Sequence, residues 1–174
     1  MLLWRPEVIR RLSACLVLGL MFVACGSEKS TVESESFVRS MTPHHQQGVE
    51  LIRIGQVRSD DVRLRKMIFE MGSYHHADLS VLAGMADGVG PAGSSFPGDV
   101  GREVLDELSR LEGREFDTAW LAAMIRHHEG ALVIAGRLLE SHVTDSELLD
   151  FARNVVTVQE AEIADMKALL LELG

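Results

Sequence analysis

Apolar residues recur every three or four positions along most of the chain beyond residue 36, which is the spacing of amphipathic helices. Four long stretches show this pattern, and a short amphipathic segment over residues 104–111 precedes the third. The stripes consist of Phe37, Met41, Leu51 and Ile52; Leu64, Ile68, Met71 and Leu82; Trp120, Ala123, Ile134 and Leu138; and Leu148, Ala152, Val155 and Ile163. We therefore predict an all-α fold with four long helices and one short helix.

The first and third long helices share a motif, and so do the second and fourth. The two alignments are Phe37-x3-Met41-x2-His44-His45 with Trp120-x3-Met124-x2-His127-His128, and His75-His76-Ala77-Asp78 with Gln159-Glu160-Ala161-Glu162. Two helical hairpins of one design explain both alignments, and two hairpins make a four-helix bundle. Residues 84–101 hold six glycines and two prolines, so this segment is predicted to cross over between the hairpins.

Some helix boundaries carry signals of their own. Ser59 and Asp60 are predicted to cap the second helix, and Thr144 with Glu147 resembles a capping box for the last one. Pro43 either begins the first helix or kinks it from within, and the repeat favours the kink.

Polar groups interrupt the apolar stripe of every long helix. At 100° per residue, the inward faces carry His44, His75, Asp78, His127, Gln159 and Glu162. The second histidines of two doublets, His45 and His128, are predicted at the flanks of their stripes. An unpaired charge in an apolar core costs roughly several kcal/mol unless it pairs or binds a cation. Since imidazole is the commonest metal ligand, the pattern predicts a metal site.

The kinds of side chain narrow the choice of metal. Imidazole with a thioether suits copper, and Met41 and Met124 each precede a doublet by about one turn; imidazole with carboxylate also suits zinc or another divalent transition metal. Di-iron bundles generally use four carboxylates, and the inward faces offer only Asp78 and Glu162, which disfavours a ferroxidase. His76 completes the candidate ligands. A metal-free layer that fixes helix register is the alternative.

Composition and charge limit the class of protein. The chain has 174 residues, 47% of them hydrophobic, which is enough for one domain with a core. Its formal net charge of −9 argues against a nucleic-acid partner, because phosphate binding needs a concentrated basic surface. The sequence contains no phosphate-binding glycine loop and no nucleophile motif, so enzymatic activity is the less favoured interpretation.

Residues 1–24 have the layout of an export signal. Three arginines precede an apolar run over residues 12–24, which is too short for a comfortable membrane span. Phe22-Val23-Ala24-Cys25-Gly26 is similar to a bacterial lipobox, in which the cysteine is lipidated and becomes the mature N-terminus. Plain secretion or an uncleaved anchor is the alternative.

This interpretation divides the chain into three parts. We expect residues 1–24 to be a lipoprotein signal peptide, residues 25–36 to be a flexible polar tether, and residues 37–172 to fold as one bundle. Lipid on Cys25 would hold the exported domain at the cell membrane on its extracytoplasmic side. The sequence indicates no protein partner.

Three segments resemble a known family. They are Met41-Thr-Pro-His-His-Gln-Gln-Gly48, Leu108-x2-Leu-Glu-Gly-Arg-Glu-Phe-Asp-x2-Trp-Leu-x2-Met-Ile-x-His-His-Glu-Gly-Ala131 and Gln159-x-Ala-Glu-Ile-x2-Met166. They are similar to the bacterial ferritin-like domain-of-unknown-function family 305, and the likeness extends over nearly all of residues 37–172. The resemblance implies an exported ferritin-like four-helix bundle, and some members are implicated in copper binding and resistance.

The resemblance also marks individual positions. The motif positions that it carries over are His44, His45, His127, His128, Gln159, Glu162 and Met166. His75-His76 stands where family members often carry Gln, so it is a local addition that could supply an extra ligand. The resulting hypothesis is a non-enzymatic, membrane-tethered lipoprotein that binds copper first and zinc or another divalent metal second.

Overall fold

The computed structural model describes residues 24–91 and 95–174, which form four long helices and one short one. They are α1 (Ala24–Arg58), α2 (Val62–Met85), α3 (Arg102–Leu108), α4 (Gly113–Leu139) and α5 (Ser146–Leu173). These ranges contain no strand. The all-α prediction and the order of long and short helices are therefore confirmed, while the ferritin-like arrangement stays a prediction.

The two hairpins are joined through the contact between α1 and α4. The first packs α1 on α2, the second packs α4 on α5, and α1 also packs along α4. The indole N–H of Trp120 on α4 donates a hydrogen bond of 2.8 Å to the carbonyl of Leu51 on α1. A Cβ on Gly55 would meet the same indole at 2.9 Å, so this glycine lets the ring lie against α1.

The core consists of two apolar clusters at opposite ends of the bundle. One contains Leu51, Leu64, Met124 and Met166, and the other contains Met41, Leu82, Ile134 and Val155. On each long helix the two clusters are separated by the segment that carries the polar inward residues, so a polar layer divides the core.

The N-terminal part of α1 differs from the sequence prediction. Residues 25–36, for which a flexible tether is predicted, belong to the helix. Glu35 pairs with Arg39 one turn later at 3.6 Å, and Glu33 accepts a hydrogen bond from a backbone N–H in the connection between α4 and α5. These polar side chains thus have partners on the folded domain. The helix also continues through Pro43, as the repeat predicts.

Two helices begin one residue later than the predicted caps imply. Asp61 caps α2 in place of Ser59-Asp60, and Asp145 caps α5 in place of Thr144. Each aspartate accepts hydrogen bonds from the N–H groups of the second and third helical residues, which is the usual role of an N-cap side chain.

Among the helices described, none is long and apolar enough to span a membrane. The predicted signal peptide of residues 1–24 lies outside the described residues except for its last position.

Candidate metal centre

Five imidazoles lie together in the middle of the bundle, between the two apolar clusters. They come from α1, α2 and α4, and none is more than 1% exposed: His44, His45, His75, His127 and His128. The centroids of the closest rings are 3.8 Å apart, and those of other neighbouring pairs are 5.0–6.4 Å apart. This set, the histidine layer, brings the three inward histidines of the sequence prediction together and adds two more.

A reciprocal pair of hydrogen bonds joins His44 on α1 to His127 on α4. Nε2 of His44 donates to the carbonyl of His127 at 2.9 Å, and Nε2 of His127 donates to the carbonyl of His44 at 3.0 Å. The two rings stack with their planes 32° apart. The equivalent positions of the repeat therefore face each other, and each fixes the other's orientation.

The second histidines of these doublets form a matching pair of contacts within the hairpins. Nε2 of His45 donates to Oδ2 of Asp78 at 3.0 Å, and Nε2 of His128 donates to Oε2 of Glu162 at 2.8 Å. At the flanks of their stripes, His45 and His128 could extend the site or face solvent, and both are fully buried. They can enter the core because a carboxylate on the neighbouring helix accepts the ring N–H.

His75 occupies a place that has no histidine counterpart in the second hairpin. Its Nδ1 donates to the carbonyl of Met71 on its own helix at 3.0 Å. Its ring centroid lies 5.0 Å from that of His45 and 5.6 Å from that of His128. The repeat-related residue, Gln159, is also buried, at 2% exposure.

Each of the five rings donates through one nitrogen and leaves its other nitrogen without a hydrogen-bond partner among the described residues. The unpartnered atoms are Nδ1 of His44, His45, His127 and His128, and Nε2 of His75, together with Oε1 of Gln159. A neutral imidazole has one N–H and one lone pair, so in a neutral ring the unpartnered nitrogen carries the lone pair. An N–H donated to a carbonyl or carboxylate is the usual way to orient a metal-binding histidine.

Three of the rings converge most closely. One ring nitrogen from each of His75, His127 and His128 lies within 4.8 Å of the others. A tetrahedral zinc ion bound at about 2.1 Å would hold such nitrogens roughly 3.4 Å apart. Shifts of roughly 1.5 Å or less therefore close the three rings around one ion of this size.

Burial keeps the central rings neutral. Burial, with a smaller effect of neighbouring His45, lowers the pKa of His44 to about 3, although the carbonyl of His127 acts in the opposite direction. Burial and the surrounding imidazoles also lower the pKa of His75 and of His127 well below 6.5. At neutral pH these three rings are in the unprotonated form that binds metal.

Other predicted ligands lie outside the histidine layer. His76 is exposed on α2. Met41 and Met124 are fully buried, and each belongs to the apolar cluster on a different side of the layer. Cys25 lies in the first turn of α1, and its lipidation stays a prediction.

A segment of the crossover covers the layer, and nothing in the sequence indicates it. This strap comprises residues 96–100, and its Phe96 ring packs edge-on against His44 with centroids 5.4 Å apart. The side chain of Gln47 donates to Oδ1 of Asp99 at 2.7 Å and accepts a strap backbone N–H at 2.8 Å. These partners are about fifty residues apart and share no motif, so only the folded chain reveals the contact.

The model of the family described as "Domain of unknown function (DUF305)" matches residues 34–170. The structure is similar to that of a DUF305 protein from Streptomyces coelicolor, provisionally described as secreted, at 27% identity and a TM-score of 0.76, covering 82% of this chain and 94% of that one. No curated protein matches the chain.

Two other solved structures share the fold. A DUF305 fragment from Deinococcus radiodurans is 24% identical with a TM-score of 0.74, covering 80% of this chain and 96% of that one. CopM in its Cu(I)-bound form is 21% identical with a TM-score of 0.67, covering 80% of this chain and 96% of that one.

Proposed function

The chain belongs to the DUF305 family, and from its histidine layer we propose that it is an exported, non-enzymatic protein that binds copper for metal homeostasis or resistance. The observation that carries the proposal is the set of five buried imidazole nitrogens without hydrogen-bond partners among the described residues. Buried polar atoms are nearly always satisfied by protein or water. A cation that takes several of these lone pairs supplies the missing interaction.

The donor set favours copper or zinc over metals that prefer oxygen ligands. The buried atoms of the layer that lack a hydrogen-bond partner are imidazole nitrogens and one amide oxygen, whereas Asp78 and Glu162 each accept a histidine N–H through one oxygen. Imidazole suits copper and zinc, whereas magnesium, calcium and manganese prefer oxygen ligands. The two carboxylates still lie beside the layer and offset the charge of a bound cation. CopM, which shares the fold, has been solved in Cu(I)-bound and Cu(II)-bound forms.

Export and anchoring form the second part of the proposal. The basic and apolar layout of residues 1–24 supports export, and the similarity of residues 22–26 to a lipobox supports lipidation of Cys25. The relative from Streptomyces coelicolor, provisionally described as secreted, agrees with an extracytoplasmic location. The protein would then hold copper outside the membrane rather than in the cytoplasm.

A metal-free structural role is the second candidate. The reciprocal hydrogen bonds between His44 and His127 favour it, because they fix the register of α1 against α4 without any metal. A buried polar group can serve specificity of packing in this way. Metal binding decides between the two candidates.

The test is a titration of the full chain, purified in mild detergent, with Cu(I), Cu(II) and Zn(II) against competing chelators. We expect wild-type protein to bind Cu(I) tighter than micromolar and the His75→Gln/His128→Gln variant to bind at least ten-fold more weakly. The matched control, His76→Gln/His142→Gln, removes two exposed histidines and should bind as wild type does. If wild-type protein shows no binding at micromolar Cu(I), or if the layer variant binds as tightly as wild type, copper binding by the layer is ruled out and the metal-free structural role is favoured.

A further inference from the structure

Gly48 on α1 forms one wall of the histidine layer. It is buried and lies one helical turn after His44. A Cβ placed on it would lie 2.5 Å from Cδ2 and 2.6 Å from Nε2 of His75, and 3.1 Å from Cε1 of His127. The first two distances are shorter than any real contact of a Cβ, so an alanine at this position and the His75 ring cannot both keep their places.

The ring cannot easily move away, because His75 is held on several sides. Its Nδ1 is hydrogen-bonded to the carbonyl of Met71, and the rings of His45 and His128 lie beside it with centroids 5.0 Å and 5.6 Å away. The atoms that Gly48 leaves room for are Cδ2 and Nε2, and Nε2 is the lone-pair nitrogen of this ring. The missing side chain therefore admits the one end of the ring that can bind a metal.

The second hairpin carries a different pair at the corresponding positions. Ala131 lies four residues after His127, as Gly48 lies four residues after His44, and Gln159 replaces His75. The first hairpin therefore combines Gly48 with the His75 ring, and the second combines Ala131 with the narrower amide of Gln159. Since Ala131 is fully buried, its methyl group takes space inside the core.

We infer that Gly48 is a positioning residue of the metal centre: its missing Cβ admits His75 as the third nitrogen ligand beside His127 and His128, and so places the ion in that half of the layer. This inference rests on the proposed function. Without His75, this half of the layer would offer a metal two imidazoles in place of three.

A double-mutant cycle on the full chain in mild detergent tests the inference, with Cu(I) affinity measured by chelator competition. We expect Gly48→Ala and His75→Gln each to weaken Cu(I) binding at least ten-fold. The combination should bind within two-fold of His75→Gln alone, because the alanine then meets only Cε1 of His127, at 3.1 Å. Full wild-type affinity of Gly48→Ala, or an equal further loss in the His75→Gln background, would overturn the inference.

The matched control is Gly72→Ala on α2, one turn before His75. A Cβ there meets only side-chain atoms at 3.4 Å and 3.7 Å, so Cu(I) affinity should stay within two-fold of wild type. The helical circular dichroism of Gly48→Ala should be unchanged, and its His75 imidazole nitrogen resonances should shift without metal. Unshifted resonances would contradict displacement of the ring. If wild-type protein binds no Cu(I), the proposed function fails, and the inference fails with it.

Moving the histidine from α2 to the corresponding position on α5 gives an independent test of the inference. The variant His75→Gln/Gln159→His should recover little Cu(I) affinity, whereas adding Ala131→Gly to it should recover at least ten-fold, because the new ring then has the space that Gly48 gives His75. A folded triple variant that binds no more tightly than His75→Gln alone would refute the pairing of glycine with the ring.

Discussion

Each histidine of the layer is defined by which of its two nitrogens is already bonded. Four rings donate through Nε2 and keep Nδ1 free of a partner among the described residues, whereas His75 does the reverse because its N–H reaches the carbonyl of Met71. Helical spacing predicts that a residue faces inward, but it does not predict which ring nitrogen finds an acceptor. That choice depends on carbonyls and carboxylates contributed by other helices, such as Asp78 and Glu162.

The low pKa values of the buried rings lead to a prediction for acid stability. In the unfolded chain these histidines titrate near 6.5, and in the folded protein His44 titrates near 3 and His75 and His127 well below 6.5. The unfolded state therefore binds more protons below pH 6.5. Stability is complete above this pH and falls as pH decreases, by about 1.4 kcal/mol per unit for each such ring.

Urea unfolding of the metal-free protein between pH 7.5 and 4 measures this effect. Three rings together imply roughly 4 kcal/mol per pH unit at most, enough to unfold an ordinary domain within about three units below 6.5. The exposed-site variant His76→Gln should show the same loss. A free energy of unfolding that stays constant down to pH 4.5 would contradict neutral burial of these three rings.

Helix boundaries and connections are the least predictable elements. The period of the apolar stripes predicts all four long helices, and the glycines of residues 84–101 predict the crossover. The caps are misplaced by one residue because Thr144 and Asp145 both suit an N-cap in sequence, and only the path of the backbone selects Asp145. The strap is missed because its partner on α1, Gln47, belongs to a distant segment.

The strap depends on a glycine in α4 that has no space for a side chain. A Cβ on Gly130 would lie 2.2 Å from the carbonyl oxygen of Pro97, and Gly98, at φ +78°, passes over the same point. Because backbone cannot rotate away as a side chain does, we expect Gly130→Ala to lower the free energy of unfolding by about 1–3 kcal/mol. Denaturant unfolding monitored by circular dichroism measures this change.

Gly136 provides the control on the same helix. A Cβ there meets nothing within 4 Å, so Gly136→Ala should gain stability, by up to about 1 kcal/mol, from helix propensity alone. Equal effects of the two substitutions would show that the strap does not press on Gly130.

At the scale of the whole molecule, the internal repeat predicts more than any single motif does. It pairs His44 with His127 and Asp78 with Glu162, and the structure gives both pairs equivalent contacts. What the repeat cannot predict is the departure from symmetry at His75. One hairpin supplies a ring where the other supplies an amide, and the consequence depends on the space left by Gly48, on a different helix.

The length of α1 gives the proposed membrane anchor a geometric consequence. With Cys25 in the first turn of the same helix as His44, the rise of 1.5 Å per residue places the layer roughly 28 Å from the lipid-bearing residue. A helical stalk would therefore hold the metal centre at a set height, where a flexible tether would not. Labelling of growing cells with a palmitate analogue tests the anchor, and wild-type protein should be labelled and recovered with membranes.

Two cysteine substitutions distinguish a lipid on Cys25 from membrane association through the apolar run of residues 12–24. Cys25→Ser should lose the label and leave the membrane fraction, while Cys15→Ser, which alters the apolar run but not the lipobox, should keep both. Because Cys25 lies roughly five turns from the layer, the affinity for Cu(I) should be equal in the two variants. Continued labelling of Cys25→Ser would rule out this residue as the anchor, and an unlabelled wild-type protein released into the medium would favour plain secretion.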